Sequence, residues 1–412
     1  MFYIQCLCNI SVTSFIIHHH LEEIYHPTLA PKRTMIDKYI DLDDDEDCNS
    51  QHKYNNKMIV SRRASIASLL ATTILPQYLA IAADISSNNE KAIPSLTIPL
   101  QYQPKLSAYT VSYQVGKSQF GAIIDTGSPF LLVPAASETS CSPEYQWGCF
   151  HPEESRKTSL EPTLERFDGN EGLVEWREGP FSFDIQSMLF PKSLMTFGVI
   201  SESLMDGPGG IFLGLVKNTD SRIRPSFLGQ SNVSAFKVDL REREGIKSLT
   251  LYGPSTDVSS SNLPNEQDAI PLVRDLNKRF GDPTIHYVGV ASSINVNGYN
   301  LATTSNRSKI YCIFDTGCSG MTISPSLFDQ RYASARANRE KNLWGAVNVE
   351  LQTLSGKTVT LNANRPITTP LGDDRPWGKR LDGHLIVLGL SFLEGLKMTV
   401  DIDGDKIWFE DR

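Results

Sequence analysis

Two stretches of this chain constrain its fold more than any other feature. The first is Ala122-Ile123-Ile124-Asp125-Thr126-Gly127-Ser128-Pro129-Phe130-Leu131-Leu132-Val133-Pro134. The second is Cys312-Ile313-Phe314-Asp315-Thr316-Gly317-Cys318-Ser319-Gly320-Met321-Thr322-Ile323. Each is a short apolar run, then Asp-Thr-Gly, then a second apolar run. The leading run reads as a buried strand, and the glycine permits a tight turn with close backbone approach. Each aspartate therefore stands at a strand end on a sharp loop. A single such tripeptide would be an ordinary turn. Here two copies share matching flanks, and each is followed by an apolar run around a glycine, Gly210–Leu215 and Leu385–Leu390. A repeat of this length predicts two homologous halves.

The 412 residues are 40 % apolar and 21 % charged, enough for two domain-sized cores. A net charge of −8 offers no basic face for nucleic acid. No Cys-x-x-Cys pair or zinc-type cluster is present, so neither a metal nor a cofactor is expected. Cys6, Cys8 and Cys48 lie near the start, while Cys141, Cys149, Cys312 and Cys318 form an even set in the remainder. Cys141 and Cys149 enclose a short loop. Cys312 and Cys318 flank Asp315, and spacing alone leaves open whether they pair. An oxidising compartment suits such a set.

Residues 1–94 read as a targeting or leader segment. His18-His19-His20 and the acidic patch Asp41–Asp47 suit no packed core. Ser61-Arg62-Arg63, an apolar run to Ala80 and Ala80-Ile81-Ala82 form a signal-peptide pattern, with cleavage expected between Ala82 and Asp84. The arginine pair is similar to a twin-arginine signal, and an ordinary secretory signal or signal anchor is the alternative. Pro76 and Gln77 argue against a stable membrane span. Export or a lumenal destination follows: secretory pathway, vacuole, extracellular space or thylakoid lumen. If Met1–Ile17 were the signal instead, residues 18–94 would be long enough for a propeptide.

Beyond Ser95 the chain reads as strands. Pro99–Lys117, Phe236–Leu240, Ser248–Gly253 and His286–Gly298 alternate, and Asn297-Gly298 is a type I′ turn signal. Residues 254–268 read as a connector. Val347–Leu361 predicts a hairpin turning at Ser355-Gly356, and Met398–Phe409 one turning at Asp403-Gly404. Asp401, Asp403 and Asp405 alternate like the start of a calcium loop, but Arg412 stands where its late bidentate acid would be.

As a set, from Ser95 to Arg412, these motifs resemble the pepsin-like aspartic proteases. The resemblance implies an all-β, bilobal fold with two pseudo-twofold-related lobes, 95–265 and 266–412, and a central cleft. It implies a catalytic pair, Asp125 and Asp315, supported by Thr126, Gly127, Ser128, Thr316, Gly317 and Cys318. The threonine hydroxyls would bond across to the opposite loop, and Ser128 would bond the outer oxygen of Asp125. The family's serine or threonine after the second motif is Cys318 here, a weak donor, with Ser319 as a substitute. A β-hairpin flap is expected at Glu165–Gly172. Leu132 stands at the family's tryptophan position and Phe167 at its flap tyrosine, with Trp176 as an alternative capping residue. A small disulfide loop, Cys141–Cys149, is also implied. His384 reads as structural.

Peptide hydrolysis by this route needs a base to activate water and an acid to protonate the carbonyl oxygen. Two carboxyls about 3 Å apart do both, because they share one proton. The expectation is an aspartic-type endopeptidase acting as a monomer on an extended peptide or protein substrate. The competing reading is a catalytically weak or inactive pepsin-like binding or inhibitor protein. A thiol nucleophile at Cys318 has no histidine nearby in sequence. A homodimer assembling one motif per chain is disfavoured because this chain carries both.

Overall fold

A computed structural model of the chain describes residues 95–104, 106–135, 147–167, 170–183, 189–190, 194–200, 211–218, 224–241, 246–254, 263–274, 276, 286–301, 309–371 and 383–411. The leader features and Cys141 lie outside these residues. Strand dominates throughout, and the longest described helix is Pro325–Ala337. The class is all-β.

The strands form four sheets. Two of them enclose the first Asp-Thr-Gly. Ser118–Asp125 lies between Ala108–Val115, antiparallel, and Phe212–Gly214, parallel, with Gly214 beside Asp125. The sheet next to it contains Leu132–Pro134, Met195–Ile200 and Asn170–Gly179, to which Thr163–Phe167 adds as a hairpin. An eight-stranded sheet surrounds the second motif. Here Lys309–Phe314 lies between Val288–Val296, antiparallel, and Gly383–Leu388, parallel. Both aspartate-bearing strands are thus central strands, buried on both faces. That is why each reads as an unbroken apolar run rather than an alternating one.

The remaining sheet joins strands from distant parts of the described chain. Its order runs Ser95–Pro99, Ser248–Tyr252, Ala235–Asp239, Lys397–Asp401, Lys406–Glu410 and Ile270–Pro271. The sheet therefore crosses the expected boundary between residues 265 and 266. The hairpin turns are where alternation places them. Asn297 and Gly298 both take positive φ, 52° and 82°, as a type I′ turn demands. Gly356 turns the hairpin Ala346–Gln352/Thr358–Asn364. No described helix is long and apolar enough to cross a membrane.

The strand Ser95–Pro99 buries Leu96 and Ile98 on one face and exposes Ser95, Thr97 and Pro99 on the other. Ile98→Ala should lower stability by about 2–5 kcal/mol, the range for a buried isoleucine truncation. Urea unfolding with an unchanged m-value would check this.

Candidate active site

The two Asp-Thr-Gly loops meet. Thr126 Oγ1 donates to the Phe314 carbonyl at 2.8 Å and accepts from the Thr316 N–H at 3.0 Å. Reciprocally, Thr316 Oγ1 donates to the Ile124 carbonyl at 2.8 Å and accepts from the Thr126 N–H at 3.2 Å. Both threonines are fully buried. Each hydroxyl satisfies one acceptor and one donor of the other loop, so neither loop can shift without leaving the other with buried unpaired groups.

This lock brings the carboxyls together. Asp125 and Asp315 are buried and share a side-chain hydrogen bond. Gly127 N–H donates to Asp125 Oδ1 at 2.7 Å, and Gly317 N–H to Asp315 Oδ1 at 2.8 Å. Both glycines are required by space. A Cβ on Gly317 would lie 2.7 Å from Asp125 Oδ1, and one on Gly127 would strike the Asp315 carboxylate. The loops are tied to the apolar-glycine strands behind them: Leu215 N–H donates to Asp125 O at 2.7 Å, and Asp315 N–H to Leu388 O at 3.0 Å.

The pair is electrostatically uneven. Burial first, then the Asp125 charge and the shared hydrogen bond, hold the Asp315 pKa well above the carboxylate range. The Gly317 and Cys318 N–H groups only partly oppose this. Two carboxyls this close do not readily ionise together, so the pair as a whole holds one proton. Such a pair offers a proton donor and an acceptor at one point.

Other expected site residues stand differently. Ser128 Oγ is buried and bonds nothing, so it does not serve the outer oxygen of Asp125. Cys312 and Cys318 are both buried thiols and are not joined. Alternation along Lys309–Phe314 explains why. Cys312 packs with Phe314 on one face, whereas Cys318 packs with Tyr311 and Ile313 on the other. Cys318 serves Asp315 through its main-chain N–H, and its side chain sits among Leu276, Val288, Leu371 and Leu385. Ser319 Oγ does not replace it, donating instead to Ser107 O at 3.3 Å. His384 is half-buried, 3.2 Å from Ser326 Oγ, on a strand position paired with Ile310. The Cys141–Cys149 pairing falls outside the described residues. Among the described residues no acid, histidine or cysteine cluster could hold a metal.

The expected flap is a two-stranded hairpin, Thr163–Phe167 against Asn170–Gly179, with Phe167 opposite Asn170 at its tip. The Phe167 side chain lies outside the described residues. Trp176, the alternative capping residue, has its indole turned to the hairpin's own packing. It is buried at the hairpin base, donating to Thr163 Oγ1 at 3.0 Å and meeting Phe130 edge-on at 4.8 Å. Leu132 is buried on the opposite side of Gly198 from Trp176, its carbonyl accepting from Tyr113 OH at 2.9 Å.

One residue escaped the sequence reading. Glu165 shares the inward face of the hairpin with Thr163, while Leu164 between them is 60 % exposed. Burial pushes the Glu165 carboxyl up to about 8, against a Thr163 hydrogen bond and the attraction of Arg224. The only sequence signal was alternation, and it points a leucine outward and an acid inward.

No family model matches the chain, and no curated protein matches it.

Two predictions follow from this geometry. An acid whose folded pKa lies above its unfolded value stabilises the fold fully below the unfolded value and loses that contribution as pH rises through the folded one. For Glu165 the window runs from 4.5 to about 8. Glu165→Gln should therefore remove part of the wild-type fall in melting temperature between pH 5 and pH 8; parallel profiles would contradict it. Cys318→Ser should place a hydroxyl in an apolar cluster and cost about 1–3 kcal/mol, measured by urea unfolding.

Proposed function

We propose that this chain is an aspartic-type endopeptidase of bilobal, pepsin-like architecture, acting on an extended peptide through a central cleft. The observation that carries the reading is the pair of buried carboxyls Asp125 and Asp315, brought together by crossed threonine bonds.

In this reading a water lies between the carboxyls and the scissile carbonyl. Asp125 takes a proton from the water as its oxygen attacks the carbonyl carbon. Asp315 gives its proton to the carbonyl oxygen, forming a neutral tetrahedral diol. The proton on Asp125 then passes to the amide nitrogen, the C–N bond breaks, and a diol hydroxyl returns a proton to Asp315. The inputs are one peptide and one water, and the outputs an acid and an amine. Fixed main-chain N–H groups at Gly127 and Gly317 hold the carboxyls without reorganisation during the reaction. The hairpin 163–179 serves as the flap that excludes water from the cleft. The protein works as an exported or lumenal monomer.

A non-catalytic pepsin-like binding or inhibitor protein is the second reading. It is favoured by the unbonded Ser128 hydroxyl and by Cys318, where the family uses a hydroxyl donor.

Asp125→Asn and Asp315→Asn should each lower peptide hydrolysis at acidic pH by at least ~10³-fold while leaving the fold intact, because each removes one half of the proton relay. A statine-type peptide, which mimics the tetrahedral diol, should block the wild type. Tight statine binding without any cleavage would favour the second reading.

A further inference from the structure

The register of the two aspartate-bearing strands identifies a second pair of equivalent residues. Thr110 is paired with Ile123, and Val288 with Ile313. Ile123 and Ile313 each stand two residues before their aspartate. Tyr109 and Tyr287, the residues preceding Thr110 and Val288, therefore occupy matching places in the two halves. Each is 1 % exposed. Each sends its hydroxyl across to the segment that follows the other half's apolar-glycine strand.

Tyr287 OH donates to Leu215 O at 2.7 Å and accepts from Lys217 N–H at 3.3 Å. Leu215 in turn donates its N–H to Asp125 O at 2.7 Å. The Tyr287 carbonyl meanwhile accepts from Phe314 N–H at 3.4 Å, the residue before Asp315. One tyrosine thus touches the supports of both aspartates. Its ring is anchored edge-on against Phe236 of the mixed sheet at 5.5 Å. Tyr109 OH donates to Glu394 Oε1 at 2.6 Å, with Lys247 Nζ donating to the same hydroxyl. Glu394 N–H donates to Leu390 O, and Leu390 N–H to Cys318 O in the second loop.

We propose that Tyr287 and Tyr109 are reciprocal positioning struts, each half of the chain setting the placement of the other half's catalytic loop. The proposal rests on the reading of Asp125 and Asp315 as the catalytic pair. Tyr287 is the stronger strut. Its bond to the Leu215 carbonyl is wholly buried, and burial pushes its hydroxyl far above the ordinary phenol range, so it stays a neutral donor at every working pH. The Tyr109 strut ends on Glu394, half exposed to solvent, and on Lys247, where water replaces lost bonds more readily.

The test is Tyr287→Phe, which keeps the ring and removes the hydroxyl. On a peptide substrate kcat should fall about tenfold with KM within about twofold, since one net hydrogen bond is lost from the placement of the reacting groups rather than from substrate binding. Hydrogen–deuterium exchange should show faster exchange at 211–218 and 122–130, with the hairpin 346–364 unchanged. Tyr109→Phe should give a smaller loss, seen at 318–320 and 390–394, and it carries the same test if Y287F does not fold. Wild-type kcat and exchange in Y287F would overturn the strut, as would loss of protection throughout the chain. If the wild type cleaves no peptide, local loss of protection in Y287F still supports the strut, and the catalytic reading alone fails.

Discussion

Everything at the centre of this protein depends on two threonine hydroxyls exchanging hydrogen bonds across a buried junction. Asp125 and Asp315 lie close enough to share a hydrogen bond, and two carboxyls at that range resist ionising together. One shared hydrogen bond is a weak tether against that repulsion. The Thr126–Thr316 crossing holds them there because all four of its bonds are buried and reciprocal. Opening it would strand donors and acceptors on both loops at once. The tyrosine bonds lie one layer further out and act in the same sense.

The same burial that fixes the pair leaves the fold carrying acids that prefer to be neutral. Asp315 is one and Glu165 on the hairpin is another. In both, loss of hydration is the leading cause, and Arg224 does not offset it for Glu165. Two buried acids in different sheets therefore bias the folded state the same way, toward low pH.

Much of this was legible locally. The Asp-Thr-Gly pair, the central strands before it and the type I′ turn at Asn297-Gly298 are short-range patterns, and they sit where the residues imply. The side-chain environments were less legible. Cys312 and Cys318 flank Asp315, and a linear reading leaves their pairing open. The strand between them puts them on opposite faces. Trp176 invites a role over the cleft, yet its indole N–H is used at the hairpin base. Glu165 breaks the usual rule that alternation sends acids outward. Tyr109 and Tyr287 look like ordinary core aromatics, and only the strand register reveals them as counterparts. Each of these depends on what lies opposite in space, which a linear pattern does not encode.

The mixed sheet has a consequence for how the chain is made. Ala235–Asp239 is a shared strand, bonded on one side to Ser248–Tyr252 and on the other to Lys397–Asp401. Its second neighbour comes from far along the chain, Asp239 pairing with Lys397. During synthesis Ala235–Asp239 therefore keeps an open, hydrogen-bonding edge until Lys397–Asp401 emerges from the ribosome. Such an edge is a template for pairing with other chains, and contacts this distant in sequence form slowly. The interval between synthesis of these two strands is one in which shielding the open edge, as a chaperone does, would protect the chain.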